Sequence, residues 1–180
     1  MALSATIYSF DIELNDSDRA VYETLNLRVA QHPSETTDYL LTRVIAYCLE
    51  YTEGIAFSKG LSDPEDPAIA VRDLTGALQA WIDIGLPEAE RLHRASKAAP
   101  RVAVYTHKDP AQWAGKLAAA KIYRAEELDV FALDRAWLAQ FVARLERRMR
   151  FSLARSGGEI YLTVGDVTLQ TELARSVPVG

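Results

Sequence analysis

Apolar and polar residues alternate with period two over the first thirty residues of the chain. The apolar face of the first predicted strand carries Tyr8, Phe10, Ile12 and Leu14, and a polar turn over residues 15–18 follows. The second predicted strand places a further four apolar residues on a common face, namely Val21, Leu25, Leu27 and Val29. This pattern predicts an antiparallel β-hairpin at the start of the chain.

Helical spacing replaces the alternation after Pro33. Ser34 is the predicted N-cap of a helix, and the Glu35 carboxylate suits the positive end of the helix dipole. Apolar residues then recur at helical spacing up to about Glu53, and they are Tyr39, Leu40, Val44, Ile45, Cys48 and Leu49. Glu50 falls toward the end of this predicted helix, near its apolar side.

The middle of the chain predicts two strands followed by a helix and a third strand. A loop over residues 62–67 is rich in Pro and Asp, and short strands are predicted at residues 68–73 and 79–85. The next helix is predicted over residues 87–99, with proline at its first position, where a missing N–H costs nothing. A strand over residues 101–105 follows.

The last third of the chain predicts two more helices and two hairpins. Asp109 and Asp134 are predicted as N-caps of the helices, and glycine-containing turns at residues 157–158 and 165–166 mark the hairpins. No internal repeat or linker is visible. The sequence therefore predicts one domain of mixed α and β structure over residues 1–180.

Composition narrows the class of protein. The chain has 180 residues, of which 49% are hydrophobic and 25% are charged, as is usual for a globular protein, and this excludes disordered and disulfide-stapled classes. The single cysteine, Cys48, lies in an apolar pattern and suits a reducing compartment. Neither a signal segment nor an apolar run long enough to span a membrane is visible. We therefore expect a cytoplasmic protein.

The net charge of −5 argues against a protein that coats nucleic acid non-specifically, although it leaves room for a local basic cleft. One cysteine and three scattered histidines offer no zinc spacing. The phosphate-binding and nucleophile motifs of nucleotide-binding proteins and hydrolases are also missing from the sequence.

Two carboxylates in the middle strands are candidates for chemistry. Asp73 closes one predicted strand, and Asp83 lies between isoleucines in the next, where a buried carboxylate is costly unless it is paired or bound to a metal. One interpretation is that Asp83 satisfies a turn or an arginine such as Arg72. The other is that Asp83 and Asp73 meet across the hairpin as oxygen ligands of a divalent cation.

The helix after Asp83 is rich in basic residues. Arg91, Arg94, Lys97 and Arg101 fall within eleven residues. Acids at the start of this helix and bases at its end complement the helix dipole, which is a purely structural interpretation. The functional interpretation is that these cations neutralise a phosphate beside the paired carboxylates.

Six short motifs, spread over nearly the whole chain, point to a family. They are Asp73-Leu74-Thr75-Gly76, Trp81-Ile82-Asp83-Ile84-Gly85, Arg91-Leu92-His93-Arg94-Ala95-Ser96-Lys97, Tyr105-Thr106-His107, His32-Pro33-Ser34-Glu35-Thr36 and Arg43-Val44-Ile45-Ala46-Tyr47. Together with the length, they resemble the YaeQ family of small bacterial proteins. The resemblance implies a variation of the PD-(D/E)XK nuclease core, built of a helix, a β-hairpin, a second helix and a further strand, with the N- and C-terminal hairpins added to it.

The resemblance also implies a metal site. Glu50, Asp73 and Asp83 match the three acids of the nuclease pattern and would hold Mg²⁺ or Mn²⁺. The sequence departs from the pattern at Gly85, where a lysine is expected and which strand alternation places on the same face as Asp83. Lys97 on the following helix is predicted to reach back to the site and to take the catalytic role beside Asp83, because a lysine stem spans roughly 6 Å.

Other basic residues are candidates for contacts with a substrate phosphate. Arg91, Arg94 and His107 are the predicted phosphate ligands near the acids. A second cluster consists of Arg144, Arg147, Arg148, Arg150 and Arg155. This cluster either follows a phosphate backbone or is a solvated helix end, and the sequence favours the helix end.

Two functions remain open from the sequence. The first is a Mg²⁺-dependent phosphodiesterase that cleaves nucleic acid. The second is a non-catalytic binding or regulatory protein on the same core. Gly85 in place of lysine favours the second function, and the presence of all three acids favours the first. On balance we expect a metal-binding, nuclease-like domain.

Overall fold

The computed structural model describes residues 4–58 and 65–176. Within these residues the chain forms four α-helices and eleven strands. The helices are α1 (Thr37–Leu49), α2 (Ala89–Ala98), α3 (Ala111–Ala119) and α4 (Arg135–Val142). The strands are β1 (Thr6–Asp16), β2 (Val21–Gln31), β3 (Ile55–Phe57), β4 (Ile69–Arg72), β5 (Leu78–Ile84), β6 (Arg101–Thr106), β7 (Asp129–Ala132), β8 (Arg148–Ser156), β9 (Glu159–Val164), β10 (Val167–Glu172) and β11 (Ala174–Ser176). The mixed α/β class predicted from the sequence is confirmed.

The chain divides into two compact units. The first unit comprises residues 1–41 and 134–173, and the second comprises residues 42–133 and 174–180. The boundary near the N-terminus falls inside α1. The prediction of a single domain over residues 1–180 stays a prediction.

The first unit contains a five-stranded sheet in the order β10-β9-β8-β1-β2. All the predicted hairpins are confirmed, since β1 pairs antiparallel with β2, β8 with β9, and β9 with β10. They are joined in one sheet because β1 also pairs in parallel with β8. β1 continues through Asp16, so the first turn begins later than the predicted residues 15–18.

Alternation along β1 and β8 explains how the core of the first unit forms. Phe10, Ile12 and Leu14 are at most 1% exposed, whereas the residues between them are exposed. The Phe10 and Phe151 rings meet edge to face at 5.9 Å, and Phe141 from α4 contacts Phe151 in the same way at 5.1 Å. One face of the sheet is therefore covered by α4, and the other carries the polar residues.

The second unit contains a six-stranded sheet in the order β11-β7-β6-β5-β4-β3. β3, β4 and β5 form an antiparallel meander, and β5, β6 and β7 are parallel. Because parallel neighbours need a crossover connection, α2 lies in sequence between β5 and β6, and α3 between β6 and β7. Both helices pack on the sheet face that carries Trp81, Val102, Val104 and Val130.

Several helix ends differ from the predictions. α1 begins at Thr37, because the Thr36 hydroxyl accepts a hydrogen bond from the Tyr39 N–H at 3.1 Å and is the cap, while the Ser34 hydroxyl contacts the His32 ring instead. α1 ends at Leu49 rather than near residue 53, so Glu50 lies just beyond the helix.

The later helices show two shifts and one confirmation. α2 begins at Ala89 after Glu88, two residues later than predicted. α3 begins at Ala111 with Pro110 at the N-cap, one residue later than the predicted cap Asp109, whose carboxylate accepts a hydrogen bond from the Ala111 N–H. The Asp134 cap is confirmed, since its carboxylate accepts from the Trp137 N–H at 2.8 Å. Residues 62–64 of the predicted loop lie outside the described residues.

Two further sequence predictions concern Cys48 and the membrane. Cys48 is buried and unpaired, and burial raises the pKa of its thiol to about 12, so it behaves as a small apolar residue. In the part of the chain that the structure describes, no helix combines the length and apolar character needed to cross a membrane.

Candidate functional site

Asp83 lies on β5, where every residue from Ala80 to Ile84 is buried. Its side chain shares a sheet face with Trp81, the face covered by α2, whereas Ile82 and Ile84 point to the opposite face. Asp83 is 2% exposed. A carboxylate at this depth requires compensation by a cation or by several hydrogen bonds.

Arg91 on α2 supplies that compensation. Its Nε donates to one Asp83 oxygen at 2.7 Å, and its Nη2 donates to the other at 3.1 Å. The Ala68 N–H donates a third hydrogen bond to Asp83, at 3.3 Å. The guanidinium also donates to the Asp66 carbonyl and lies 5.1 Å from the centre of the Trp81 ring. A fork-to-fork pair of this kind fixes both side chains and neutralises the buried charge.

Gly85 shows why the lysine of the nuclease pattern is absent. β5 ends at Ile84, and Gly85 has a φ of +94°, in the region that favours glycine. Its N–H donates to the Tyr105 carbonyl at 2.9 Å and holds this conformation in place. Strand alternation therefore stops before Gly85, which corrects the prediction that it shares the face of Asp83. A lysine there would be strained.

Lys97 does not take the place of the missing lysine. It is exposed in the last turn of α2, six residues after Arg91, which corresponds to about 9 Å along the helix axis. The cation that reaches Asp83 from α2 is Arg91. The catalytic role predicted for Lys97 therefore has no support from its position, and its place at the helix end agrees with the dipole interpretation.

Asp73 forms the turn between β4 and β5. Its Oδ1 accepts hydrogen bonds from the Thr75 N–H, the Thr75 hydroxyl and the Ala77 N–H, and its Oδ2 accepts one from Gln79. These hydrogen bonds, that of the Thr75 hydroxyl above all, lower the pKa of Asp73. All four of its contacts are local. This is the behaviour of a turn-forming aspartate.

Asp73 and Asp83 lie at opposite ends of the β4–β5 hairpin. The register pairs Ile69 with Ile82 and Arg72 with Leu78, so Asp73 is at the turn while Asp83 is beside Ala68. Five residues of β5 separate the two ends, which corresponds to about 17 Å. The structure therefore corrects the prediction that these two carboxylates share a cation.

The turn role of Asp73 leads to a pH-dependent prediction. Because its pKa is lowered in the folded state, Asp73 stabilises the fold above its unfolded pKa near 3.8, and this contribution is lost as the pH falls through the folded-state pKa. We expect Asp73→Ala to lower the melting temperature at pH 7 and to differ less from wild type at pH 3. Asp73→Asn retains an acceptor oxygen and is expected to lose less at pH 7. A loss in Asp73→Ala that is as large at pH 3 as at pH 7 would contradict this role.

Glu50 belongs to a different cluster. Its Oε1 accepts hydrogen bonds from Arg101 Nη2 at 2.7 Å and from the Tyr105 hydroxyl at 2.8 Å, and its Oε2 accepts from Arg101 Nε at 3.1 Å. Arg101 and Tyr105 are on the face of β6 opposite to that of Val102 and Val104, which α2 and α3 cover. The Glu50 and Asp83 carboxylates are therefore on opposite faces of the sheet.

Arg101 links Glu50 to a further acid. Its Nη1 donates to Asp129, and Asp129 also accepts a hydrogen bond from Arg175 on β11. Burial lowers the pKa of the Arg101 guanidinium, but the hydrogen bonds and charges of Glu50 and Asp129 outweigh burial and raise it. Arg101 therefore stays charged, and we call Glu50, Arg101, Asp129 and Arg175 the four-residue ion cluster.

The three acids that the resemblance implies as metal ligands do not fit a shared Mg²⁺ or Mn²⁺ ion. Such ions require several oxygens that converge on one point. Glu50 is instead on one face of the sheet and Asp83 is on the other. Asp73 is at the turn between β4 and β5. Among the described residues, no group of three or more potential His, Cys, Asp or Glu ligands is close enough to hold a metal ion.

The predicted phosphate ligands are mostly engaged with acids of the chain. Arg91 holds Asp83, and Arg94 donates to Glu65 at 3.3 Å on the surface. His107 is half-buried directly after β6, at the same edge of the sheet as the end of β5. Among the described residues, Arg91 is the cation within ion-pair distance of Asp83.

Most of the second basic cluster is on a strand rather than at a helix end. Arg148, Arg150 and Arg155 are all on β8, which corrects the helix-end interpretation for these three. Arg144 lies just after α4 and donates to the Gln140 carbonyl, as the helix-end interpretation predicts. Arg155 is the exception within the cluster, because it is largely buried and pairs with Asp16 and Asp18.

The ion cluster around Arg101 is what the sequence analysis missed. The available signal was Asp129, a charged residue between Leu128 and Val130 in an otherwise apolar stretch. Like Asp83, it is a buried acid that requires a cation. Its partner, Arg101, was interpreted only as the end of the basic run on the preceding helix.

The fold and these contacts define a mixed α/β protein in which arginines compensate the buried acids Asp83 and Asp129. The chain belongs to the YaeQ family, since the family model described as YaeQ protein matches residues 1–173. It is 30% identical over 174 residues to the YaeQ proteins of Escherichia coli (strain K12) and Shigella flexneri, both described as uncharacterized, with 96% of this chain and 96% of each relative covered.

Solved structures of the family agree with the fold. The crystal structure of YaeQ protein from Pseudomonas syringae matches with a TM-score of 0.87 and 28% identity, covering 95% of both chains. The crystal structure of YaeQ protein from Xanthomonas axonopodis pv. citri matches with a TM-score of 0.86 and 30% identity, covering 98% of this chain and 99% of the other. The predicted family is therefore confirmed.

Proposed function

We propose that this member of the YaeQ family is a non-catalytic binding or regulatory protein that uses the acids of a nuclease-type core as structural groups. The observation that carries the proposal is the bidentate ion pair between Arg91 and Asp83. An acid that holds a catalytic cation must leave its oxygens open to that cation. Both Asp83 oxygens here accept hydrogen bonds from a guanidinium that is itself held by Asp66.

The other two acids support the same proposal. Both Glu50 oxygens are engaged by Arg101, and Asp73 is saturated by donors of its own turn. Each carboxylate therefore has a local structural role. No movement of a single side chain would bring the three together, because they differ in sheet face and in position along the hairpin.

The second candidate function is a Mg²⁺-dependent nuclease, and the order of elements favours it. α1, the β3–β4–β5 meander, α2 and β6 follow the order of helix, hairpin, helix and strand that the nuclease resemblance implies. Asp83 is also buried in the strand where that resemblance implies an acid. Fold order alone does not establish activity, so the side-chain contacts carry more weight.

Calorimetric titration with Mn²⁺ and Mg²⁺ tests the proposal on the full chain. Wild type, Asp83→Asn and Glu126→Gln are compared, and the last is a matched control because it removes one charge from an exposed acid. We expect no saturable heat of metal binding that is present in wild type and lost in Asp83→Asn. We also expect no cleavage of single- or double-stranded DNA or RNA by any of the three proteins with either metal.

Saturable Mn²⁺ binding that is present in wild type and Glu126→Gln but lost in Asp83→Asn would overturn the proposal. Cleavage lost in the same variant would establish the nuclease instead. Heat that is equal in all three proteins supports the proposal, because such binding does not involve Asp83.

A further inference from the structure

An open groove with a cavity volume of about 400 Å³ lies in the first unit. The segment after α4, the start of β8 and the turn between β9 and β10 form it. Its lining consists of Arg144, Glu146, Arg148, Met149, Arg150, Val164 and Gly165. Three arginines face one glutamate here, in a chain whose net charge is −5. The groove is therefore locally positive on an acidic protein.

Strand alternation places two of these arginines side by side. Arg148 and Arg150 alternate with Met149 and Phe151, whose side chains are buried, so both arginines project from the exposed face of β8. Residues two apart on a strand are about 7 Å apart. Both residues are in register with β1, and this pairing fixes the backbone positions from which their guanidinium groups extend.

The groove arginines differ from the other arginines of the chain in their contacts. Within the residues that the structure describes, the Arg148 and Arg150 guanidinium groups have no hydrogen-bond or ion-pair partner. Arg144 donates one hydrogen bond to the Gln140 carbonyl and keeps its remaining donors. Arg91 and Arg101, by contrast, are each neutralised by carboxylates.

A fourth arginine extends the positive surface across the sheet. Arg28 on β2 and Arg148 on β8 are both in register with Ser9 on β1, one on each side. Two strand spacings separate them, or about 10 Å, and Arg28 is exposed on the same face. The arginines therefore lie on β2 and β8, on either side of β1, and do not converge on one point.

We propose that this groove binds the phosphate backbone of a nucleic acid strand. Guanidinium groups bind phosphate oxygens with two parallel hydrogen bonds, and a row of them suits a polymer with repeated phosphates. A small phosphate ligand would instead need an enclosed pocket that covers most of its surface. Asp11 lies beside Arg150, and Glu146 is part of the lining. These two acids limit the non-specific attraction of the surface for anions. This inference goes beyond the proposed function and requires no metal.

Fluorescence anisotropy with a labelled single-stranded oligonucleotide tests the proposal, in EDTA and at salt concentrations from about 50 to 200 mM. The full chain is compared with Arg148→Ala/Arg150→Ala. Lys116→Ala/Lys121→Ala is a matched control, because it removes two exposed positive charges from the second unit. We expect the arginine variant to bind roughly tenfold more weakly or worse, and the control to bind as wild type. The slope of log affinity against log salt should fall by about 0.7 for each arginine removed.

A variant that binds more tightly serves as a control for unfolding as the cause of weaker binding. Glu146→Gln removes the one acid of the lining and is expected to tighten binding, which an unfolded protein would not do. Equal losses in the arginine and lysine variants, or no binding by wild type at about 50 mM salt, would overturn the proposal. Displacement of the probe by AMP at the same concentration as by unlabelled oligonucleotide would assign the groove to a single phosphate and would also overturn it.

Discussion

Arg91→Met is expected to lower the free energy of unfolding by about 3–5 kcal/mol, the usual cost of leaving a buried charge without its partner. Methionine preserves an unbranched apolar stem beside Trp81, so the loss reports mainly on the charge. The Asp83 side chain is only 3% exposed, and it cannot reach water without moving β5. Denaturant unfolding of wild type and variant at pH 7 measures the difference.

Arg94→Met is the matched control for this prediction. Arg94 is on the same helix and also pairs with an acid, but its side chain is 45% exposed and that of Glu65 is 77% exposed. Exposed pairs contribute about 0–1 kcal/mol, so the control should unfold nearly as wild type. If Arg91→Met were as stable as Arg94→Met, the Asp83 carboxylate would have another source of compensation and the structural interpretation would be wrong.

Arg101→Met is the second substitution for which we expect a large loss, of about 2–4 kcal/mol. It leaves the Glu50 and Asp129 carboxylates, whose side chains are only 10% and 11% exposed, without their shared cation. The expected loss is smaller than for Arg91 because the Arg101 side chain is 41% exposed, which allows water to replace part of the interaction.

Arg175→Met tests whether stability depends on Arg101 as the centre of the ion cluster or only on the number of charges removed. Arg175 pairs only with Asp129 among the four residues of the cluster, and its side chain is 54% exposed. We expect it to cost less than half as much as Arg101→Met when both are measured by denaturant unfolding. Equal costs would show that Arg101 is not the centre of the ion cluster.

The sequence predicted the elements well because most of them follow periodicity alone. β1, β8 and the helices α2, α3 and α4 each bury one face, and that face is visible in the spacing of apolar residues. α1 has no exposed residue from Leu40 to its end. The ends were less predictable. Thr36 rather than Ser34 caps α1, and both residue types are good caps, so only the hydrogen bond to the Tyr39 N–H distinguishes them.

The candidate site was predicted less well than the fold. The sequence identifies Asp83 as an acid that needs a partner, but it suggests an arginine such as Arg72, or a cation shared with Asp73, where the structure has Arg91. Arg72 donates instead to the Gly76 carbonyl. The spacing of residues in the sequence does not show at which end of a hairpin an acid lies. That requires the β4–β5 register, in which Asp83 lies beside Ala68 and far from the turn.

The sequence pattern also does not show on which face of the sheet Glu50 lies. That face depends on the side from which α1 delivers the chain to the sheet, and local patterns do not contain that information. The parallel pairing of β1 with β8 joins residues about 140 positions apart, and it is invisible to periodicity for the same reason. Long-range pairing therefore decides both the first sheet and the separation of the acids.

A double-mutant cycle between Asp83 and Arg91, measured by denaturant unfolding in EDTA and again in Mn²⁺, tests the central claim most directly. Asp83→Asn, Arg91→Met and the double variant complete the cycle. If Asp83 is a structural acid, its coupling energy with Arg91 is about 2 kcal/mol or more and is the same in both solutions. A coupling near zero would contradict the account, because Arg91 would then not compensate Asp83. Recovery of Arg91→Met stability when Mn²⁺ is added would also contradict it, by showing that Asp83 is a metal ligand.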